Sequence, residues 1–117
     1  MVTNLAIMKD EFSEGPDIFR AAENNDVDEL RLALSEGQSL NDVQTGSGFS
    51  PIHIAIIRES TDFLDIAMSM DFDPWIRDLN LRLAFDHAAA WRMKNVMRSL
   101  HTKMYPNSML ATPSAAP

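Results

Sequence analysis

The sequence predicts an all-α solenoid of short, stacked helix pairs, and three observations carry that prediction. Apolar residues recur in register: Ile18, Ile52 and Phe85 correspond, as do Ala21, Ala55 and Ala88, and Leu30, Leu64 and Met97, with a first offset of 34 and a second of 33. A period of that length, made of two short helices and an outward excursion, marks a unit that buries its apolar face only by stacking on its neighbours. The same start signal, weakened at the ends, introduces the first helix of each unit. Finally, 117 residues that are 45% hydrophobic and 23% charged suffice for one domain with a modest core.

Each element has a local reason. Pro16-Asp17 opens a helix through Ile18, Phe19, Ala21 and Ala22. It stops near Asn24-Asn25, residues that tolerate left-handed backbone. A second helix is expected over 27–34, where Val27, Leu30 and Leu34 fall on one stripe and Gly37 closes the turn. The polar stretch 38–49 is the first excursion. In Gly48-Phe49-Ser50-Pro51-Ile52-His53-Ile54-Ala55, Gly48 is free to take positive φ, Ser50 is placed to cap the helix and Pro51 occupies its first position. A partner helix is expected over 62–70, with Phe63, Leu64, Ile66 and Ala67 on its apolar face. Residues 75–83 make a second excursion, 84–91 the third unit's first helix and 94–101 its partner.

The expected organisation is therefore an N-terminal cover over 1–15 and a repeat domain over 16–104, with units at about 16–48, 49–81 and 82–104. A flexible, uncharged, proline-containing tail occupies 105–117. Without cysteine there is no disulfide and no thiolate ligand or nucleophile. The apolar runs are too short to cross a bilayer and the first residues lack the features of a signal peptide, so a cytoplasmic location is expected.

Charge divides the chain. Residues 1–74 carry fifteen acidic and four basic side chains, and residues 75–117 carry two acidic and six basic. The acidic part disfavours nucleic acid and anionic membranes and suits a basic protein partner. Arg77, Arg82, Arg92, Lys94, Arg98 and Lys103 near Trp75 and Trp91 are the chain's own basic cluster, read as a solvated face or protein-binding patch.

With these residues in view, the chain resembles the ankyrin repeat family. Gly48-x-Ser50-Pro51-Ile52-His53-Ile54-Ala55 is similar to that family's Gly-x-Thr-Pro-Leu-His-x-Ala. Asp26 to Leu30, Leu34 to Gly37 and Leu40-Asn41 are similar to its second helix, closing glycine and Val-Asn. The resemblance spans about residues 16–101. The third unit departs most, with Leu83-Ala84-Phe85-Asp86 where the Thr-Pro-Leu-His would stand, and terminal units are commonly atypical.

The resemblance implies that Gly48, Ser50, Pro51 and His53 are structural, the histidine and serine holding the turn through hydrogen bonds. It also implies a protein-binding module without catalytic residues, cofactor, metal or small-molecule substrate, monomeric when alone. Carried over residue by residue, the family's contact positions become Glu23 and Asn24 in the first unit, and Asp42, Phe49, Ile57 and Arg58 in the second. In the third they are Ile76, Leu79, Asn80, Arg82, Ala90 and Trp91. Phe49, Ile57, Leu79 and Trp91 should form an exposed line beside Arg58 and Arg82, the composition of an interaction hot spot. A role as inhibitor or neutraliser of a basic protein fits the small acidic form.

Two other readings remain open from the residues. One is self-association through Phe85, Met93 and Met97. The other is hydrolytic or metal-assisted chemistry using His53 and His87, against which Asp86 and His87 project about 100° apart as helix neighbours. His53 and Asp86, equivalent on stacked helices, supply only two ligands where such a site needs three or four.

Overall fold

The computed structural model describes residues 15–106. Residues 1–14 and 107–117, and with them nearly all of the expected cover and tail, lie outside the described residues. The described chain forms six helices in three antiparallel pairs: α1 (Ile18–Asn24) with α2 (Val27–Ser35), α3 (Pro51–Ile57) with α4 (Thr61–Ala67), and α5 (Ala84–Ala90) with α6 (Lys94–Met104). The first helices stack as an inner row, α1 on α3 on α5, and α2 packs on α4 in the outer row.

The alanine positions explain how the inner row closes. Ala21, Ala55 and Ala88 are each 0% exposed, so backbones approach where a larger side chain would hold them apart. Ile18, Ile52, Leu30, Phe63, Leu64 and Leu100 fill the space between the rows. The last unit is packed less completely. Phe85 and Met97 are half-buried, whereas their equivalents Ile18, Ile52, Leu30 and Leu64 are at most 1% exposed.

Capping sets the helix starts. Asp17 accepts from the amides of Phe19 and Arg20, and Asp26 from that of Glu29. Ser50 and His53 form a reciprocal capping box at α3, and the carboxylate of Asp86 accepts from Leu83 N–H at 2.8 Å at α5. Asp86 is thus a backbone cap, which is what its position four residues into a weakened start motif permits.

Helix ends differ from expectation by a few residues. α4 stops at Ala67 and continues as a turn, short of the expected Met70. α6 runs on to Met104 instead of 101, with Leu100 buried beneath it. Between the helices of each pair the chain takes one left-handed residue, Asn25 (φ 56°), Glu59 (φ 57°) and Arg92 (φ 57°) in turn.

Both excursions are hairpins at the tip. In the first, Gln44 N–H donates to Phe49 O at 2.9 Å and Gly48 N–H to Gln44 O at 2.8 Å. In the second, Asp78 N–H donates to Arg82 O at 3.0 Å beside an isolated antiparallel bridge between Arg77 and Leu83. The two tips are joined directly, Leu79 N–H donating to Ser47 O at 3.0 Å. Further back, Asp73 N–H donates to Asn41 Oδ1 at 2.7 Å.

Gly48 has two reasons to be glycine. Its φ is +74°, and a Cβ there would lie 2.9 Å from the backbone nitrogen of Leu79. Leu81, one period later, adopts φ 65° with a side chain 69% exposed, so it bears the conformational cost and contributes little packing.

Two stability outcomes follow. Gly48→Ala should destabilise by about 2–3 kcal/mol, adding the left-handed penalty to a backbone clash. Leu81→Gly should instead stabilise by roughly 0.5–1 kcal/mol, the relieved strain outweighing glycine's extra unfolded-state entropy. Urea unfolding followed by far-ultraviolet circular dichroism measures both, and a Leu81→Gly midpoint below that of the parent chain would contradict the strain assignment.

Candidate functional site

Between the inner row and the first excursion lies a groove of about 290 Å³, lined by Glu23, Gln44, Ser47, Phe49, Ile54, Ile57 and Arg58. Four of the twelve residues expected to make contacts, Glu23, Phe49, Ile57 and Arg58, therefore share one wall system. Glu23 stands near the end of α1; Ile57 and Arg58 end α3 in the neighbouring unit. Phe49 is delivered by the hairpin, where its own N–H donates to Ser47 Oγ at 3.1 Å.

The expected line of exposed apolar side chains is only partly realised. Leu79 and Trp91 are 67% and 52% exposed, but Phe49 and Ile57 are half-buried. The cause is packing that no periodicity reveals: Phe49 stacks on the His53 ring with centroids 5.9 Å apart and meets His87 edge-on at 5.9 Å. Ile76 is likewise half-buried.

The other expected positions are distributed. Asn24, Asp42, Asn80, Arg82 and Ala90 are exposed, and none lines the groove. Asp42 closes a turn by accepting from Ser39 N–H at 3.0 Å. Leu79 and Asn80 form the tip of the second excursion, joined to the groove through Ser47. Ala90 and Trp91 occupy on α5 the positions that Ile57 and Arg58 hold on α3, one unit along. Gln44, Ser47 and Ile54 also line the groove and were missed. Gln44 and Ser47 read as polar loop, and Ile54 reads as core.

Beneath this surface sits a histidine hinge. His53 is 1% exposed; its Nδ1 faces Ser50 Oγ at 2.8 Å and the Ser50 amide at 3.3 Å, and its Nε2 faces Arg82 O at 3.0 Å. A carbonyl only accepts, so Nε2 carries the hydrogen and Nδ1 accepts from Ser50. One side chain thus joins the start of α3 to the end of the next excursion. Burial holds the His53 pKa below its ordinary value, against the opposing pull of the Arg82 carbonyl.

Asp78 completes the arrangement. Its carboxylate, 1% exposed, accepts from Asn80 N–H at 2.9 Å and Arg82 N–H at 3.0 Å through Oδ1, and pairs with His87 Nε2 at 2.8 Å through Oδ2. Burial works to raise its pKa, but the hydrogen bonds from His87, Arg82 and Asn80 together outweigh it and hold the carboxyl below its ordinary value. His53 and His87 are edge-to-face with centroids 5.4 Å apart. His53, Asp78 and His87 offer ligand-capable atoms all within 4.8 Å of one another.

The sequence pairing of His53 with Asp86 is thereby corrected. Asp86 turns back to cap α5, and it is Asp78 and His87 that gather at His53. His87 corresponds in register to Ile54 rather than to His53, and Asp78 lies on an excursion whose path only the fold decides.

Three of the six basic residues have local partners. Lys103 Nζ donates to Met70 O at 2.7 Å and lies 4.9 Å from the Phe72 ring centroid, Arg77 donates to Leu81 O and Arg98 to Asn95 Oδ1. No helix among the described residues is long and apolar enough to cross a membrane.

This is the ankyrin-repeat fold: stacked helix pairs with hairpin excursions, registered by a buried histidine. Residues 18–67 match a family model described as ankyrin repeats in many copies. Among solved structures it is similar to the crystal structure of an ankyrin repeat domain from Acinetobacter baumannii AYE, at 19% identity and a TM-score of 0.65, over 74% of this chain and 46% of that one. The chain thus spans less than half the length of that domain. No curated protein matches it significantly. Ankyrin repeats generally mediate protein–protein interaction and are typically not enzymes.

Both hinge groups are held in their deprotonated forms, so acid should weaken the fold in two stages. As pH falls below about 6.5, the unfolded chain binds a proton that buried His53 resists, and stability declines until its depressed folded pKa is passed. Near pH 4 and below, protonating Asp78 removes a second contribution. Urea midpoints between pH 8 and 3 should show both declines, with the lower one reduced in Asp78→Asn. An identical acid limb in that variant would count against the assignment to Asp78.

Proposed function

We propose that this protein binds a partner protein through the Glu23–Phe49–Ile57–Arg58 groove and the adjoining Leu79 and Trp91, and that the partner presents a basic surface to its acidic first two units. The convergence of those four side chains in one groove, with the next excursion's tip tied to its rim, carries this reading. In those two units Glu23, Asp26, Asp42, Glu59 and Asp62 are exposed, which favours a cationic partner and speeds encounter. Trp91 and Leu79 supply the apolar anchors that give such an interface its affinity. Stacked helices and joined hairpins hold these groups in place beforehand, which keeps the ordering cost of binding low. A role as inhibitor or neutraliser of a basic protein follows from the same surface. The cytoplasm is the location that suits a cysteine-free binder.

Trp91→Ala and Glu23→Lys should each leave the melting temperature within a few degrees of the parent and weaken partner binding by at least about tenfold, a loss of roughly 1.4 kcal/mol. Affinity capture from the source cell with mass spectrometry supplies the partner, and surface plasmon resonance measures the variants. Association should slow as salt is raised from about 50 to 500 mM, because the Debye length falls below the spacing of the facing charges. A partner held equally by the Trp91→Ala, Glu23→Lys double variant would overturn the proposed surface.

A further inference from the structure

We infer that His53, Asp78 and His87 form a tetrahedral Zn²⁺ site with the Arg82 carbonyl as fourth ligand, an ion that staples the second unit to the third. The three side chains come from separate elements, α3, the second excursion and α5, and their ligand-capable atoms lie within 4.8 Å of one another. Two imidazoles, a carboxylate and a carbonyl are a donor set that zinc accepts in fourfold coordination.

Two ligand pairs are already near the spacing an ion requires, and the widest separation among the three side-chain ligands, up to 4.8 Å, closes on binding. Ligands about 2.0–2.2 Å from zinc at tetrahedral angles stand roughly 3.3 Å from each other. His87 Nε2 and Asp78 Oδ2 are 2.8 Å apart and His53 Nε2 and Arg82 O are 3.0 Å apart, so each pair opens by only a few tenths of an ångström. Two imidazoles bound through Nε2 to one tetrahedral ion have ring centres roughly 5 Å apart, by the same distances. The His53 and His87 rings are 5.4 Å apart and inclined at 77°.

An outer shell is also in place. Asp78 Oδ1 is held by two backbone amides, which leaves Oδ2 oriented toward His87. Ser50 Oγ lies 2.8 Å from His53 Nδ1, so it accepts from Nδ1–H once Nε2 turns its lone pair to the ion. The hydrogen on each Nε2 shifts to Nδ1 of its ring or leaves to the buffer, and the oxidation state of the metal is unchanged.

The site falls at the joint that most needs support. The third unit has lost the Ser-Pro-Ile-His start that registers the second, and its outer helix is parted from α4 by cavities of about 240 and 200 Å³. A staple here would hold the second hairpin, and with it Leu79, in a fixed position. The inference is independent of which partner the surface binds.

The chain has three histidines, the third being His101. The test uses the full-length, chelator-treated protein with Co²⁺ as spectroscopic probe and Zn²⁺ as competitor. The parent chain should bind one Co²⁺ with intense visible bands of tetrahedral coordination, displaced by equimolar Zn²⁺, and Zn²⁺ should raise its melting temperature by several degrees. His101→Ala should bind like the parent. His87→Gln, which retains a hydrogen-bond donor toward Asp78, and Asp78→Asn should each lose roughly 100-fold or more in affinity, beyond the 10–100-fold typical of outer-shell changes. Circular dichroism at 20 °C confirms that each variant is folded. Failure of the parent to bind stoichiometrically, octahedral bands only, or binding that survives in folded His87→Gln and Asp78→Asn would each overturn the site.

Discussion

The hydrogen bond from His53 Nε2 to the Arg82 carbonyl is the constraint on which the rest of the arrangement depends. A solenoid unit has no apolar face that belongs to it alone, so the angle between helices and excursions must be set by something directional. Here a buried imidazole does this across 29 residues of sequence, fixed at its other nitrogen by Ser50. Because Arg82 O also accepts from Asp78 N–H, the same carbonyl closes the second hairpin. Register between units and the shape of the hairpin are thus one decision.

That coupling explains why the groove is built as it is. Phe49 stacks on the hinge imidazole, so its ring is held half-buried while one edge still lines the groove. Leu79 projects because its own amide is bonded to Ser47 and its neighbour Asp78 is anchored inside. The outward residues owe their positions to buried polar groups, every described one of which has a hydrogen-bond partner.

The first two units are linked differently. Ser60 Oγ donates to Ala22 O, and Asn25 Oδ1 accepts from Phe63 N–H at 2.8 Å, so the turns between paired helices are stitched to one another. Between the second and third units the links lie at the excursions, the histidine cluster and the Lys103–Met70 bond at the end of α6, and two cavities separate the start of α6 from α4. The stack is therefore tight at its acidic end and looser at its basic end. Met68, Met93 and Met97, all half-buried, sit where that looser packing asks for adaptable side chains.

The sequence by itself determined the helices, their pairing and their stacking order. Gly48-x-Ser50-Pro51 encodes a helix start through local geometry, the alanines at 21, 55 and 88 encode close approach, and a constant period of 33 to 34 encodes repetition. Those are properties of neighbours in sequence or of a regular spacing. The groove was legible to the extent that Glu23, Phe49, Ile57 and Arg58 occupy positions defined by that period. What only the tertiary structure decided is which irregular residues meet: that Asp86 caps a helix while Asp78 and His87 gather at His53, that Phe49 leans inward on two imidazoles, and that Gly48 must clear the backbone of Leu79. The path of an excursion has no periodicity to read, and a contact between residues 25 or 34 positions apart exists only once the hairpins and helices have docked.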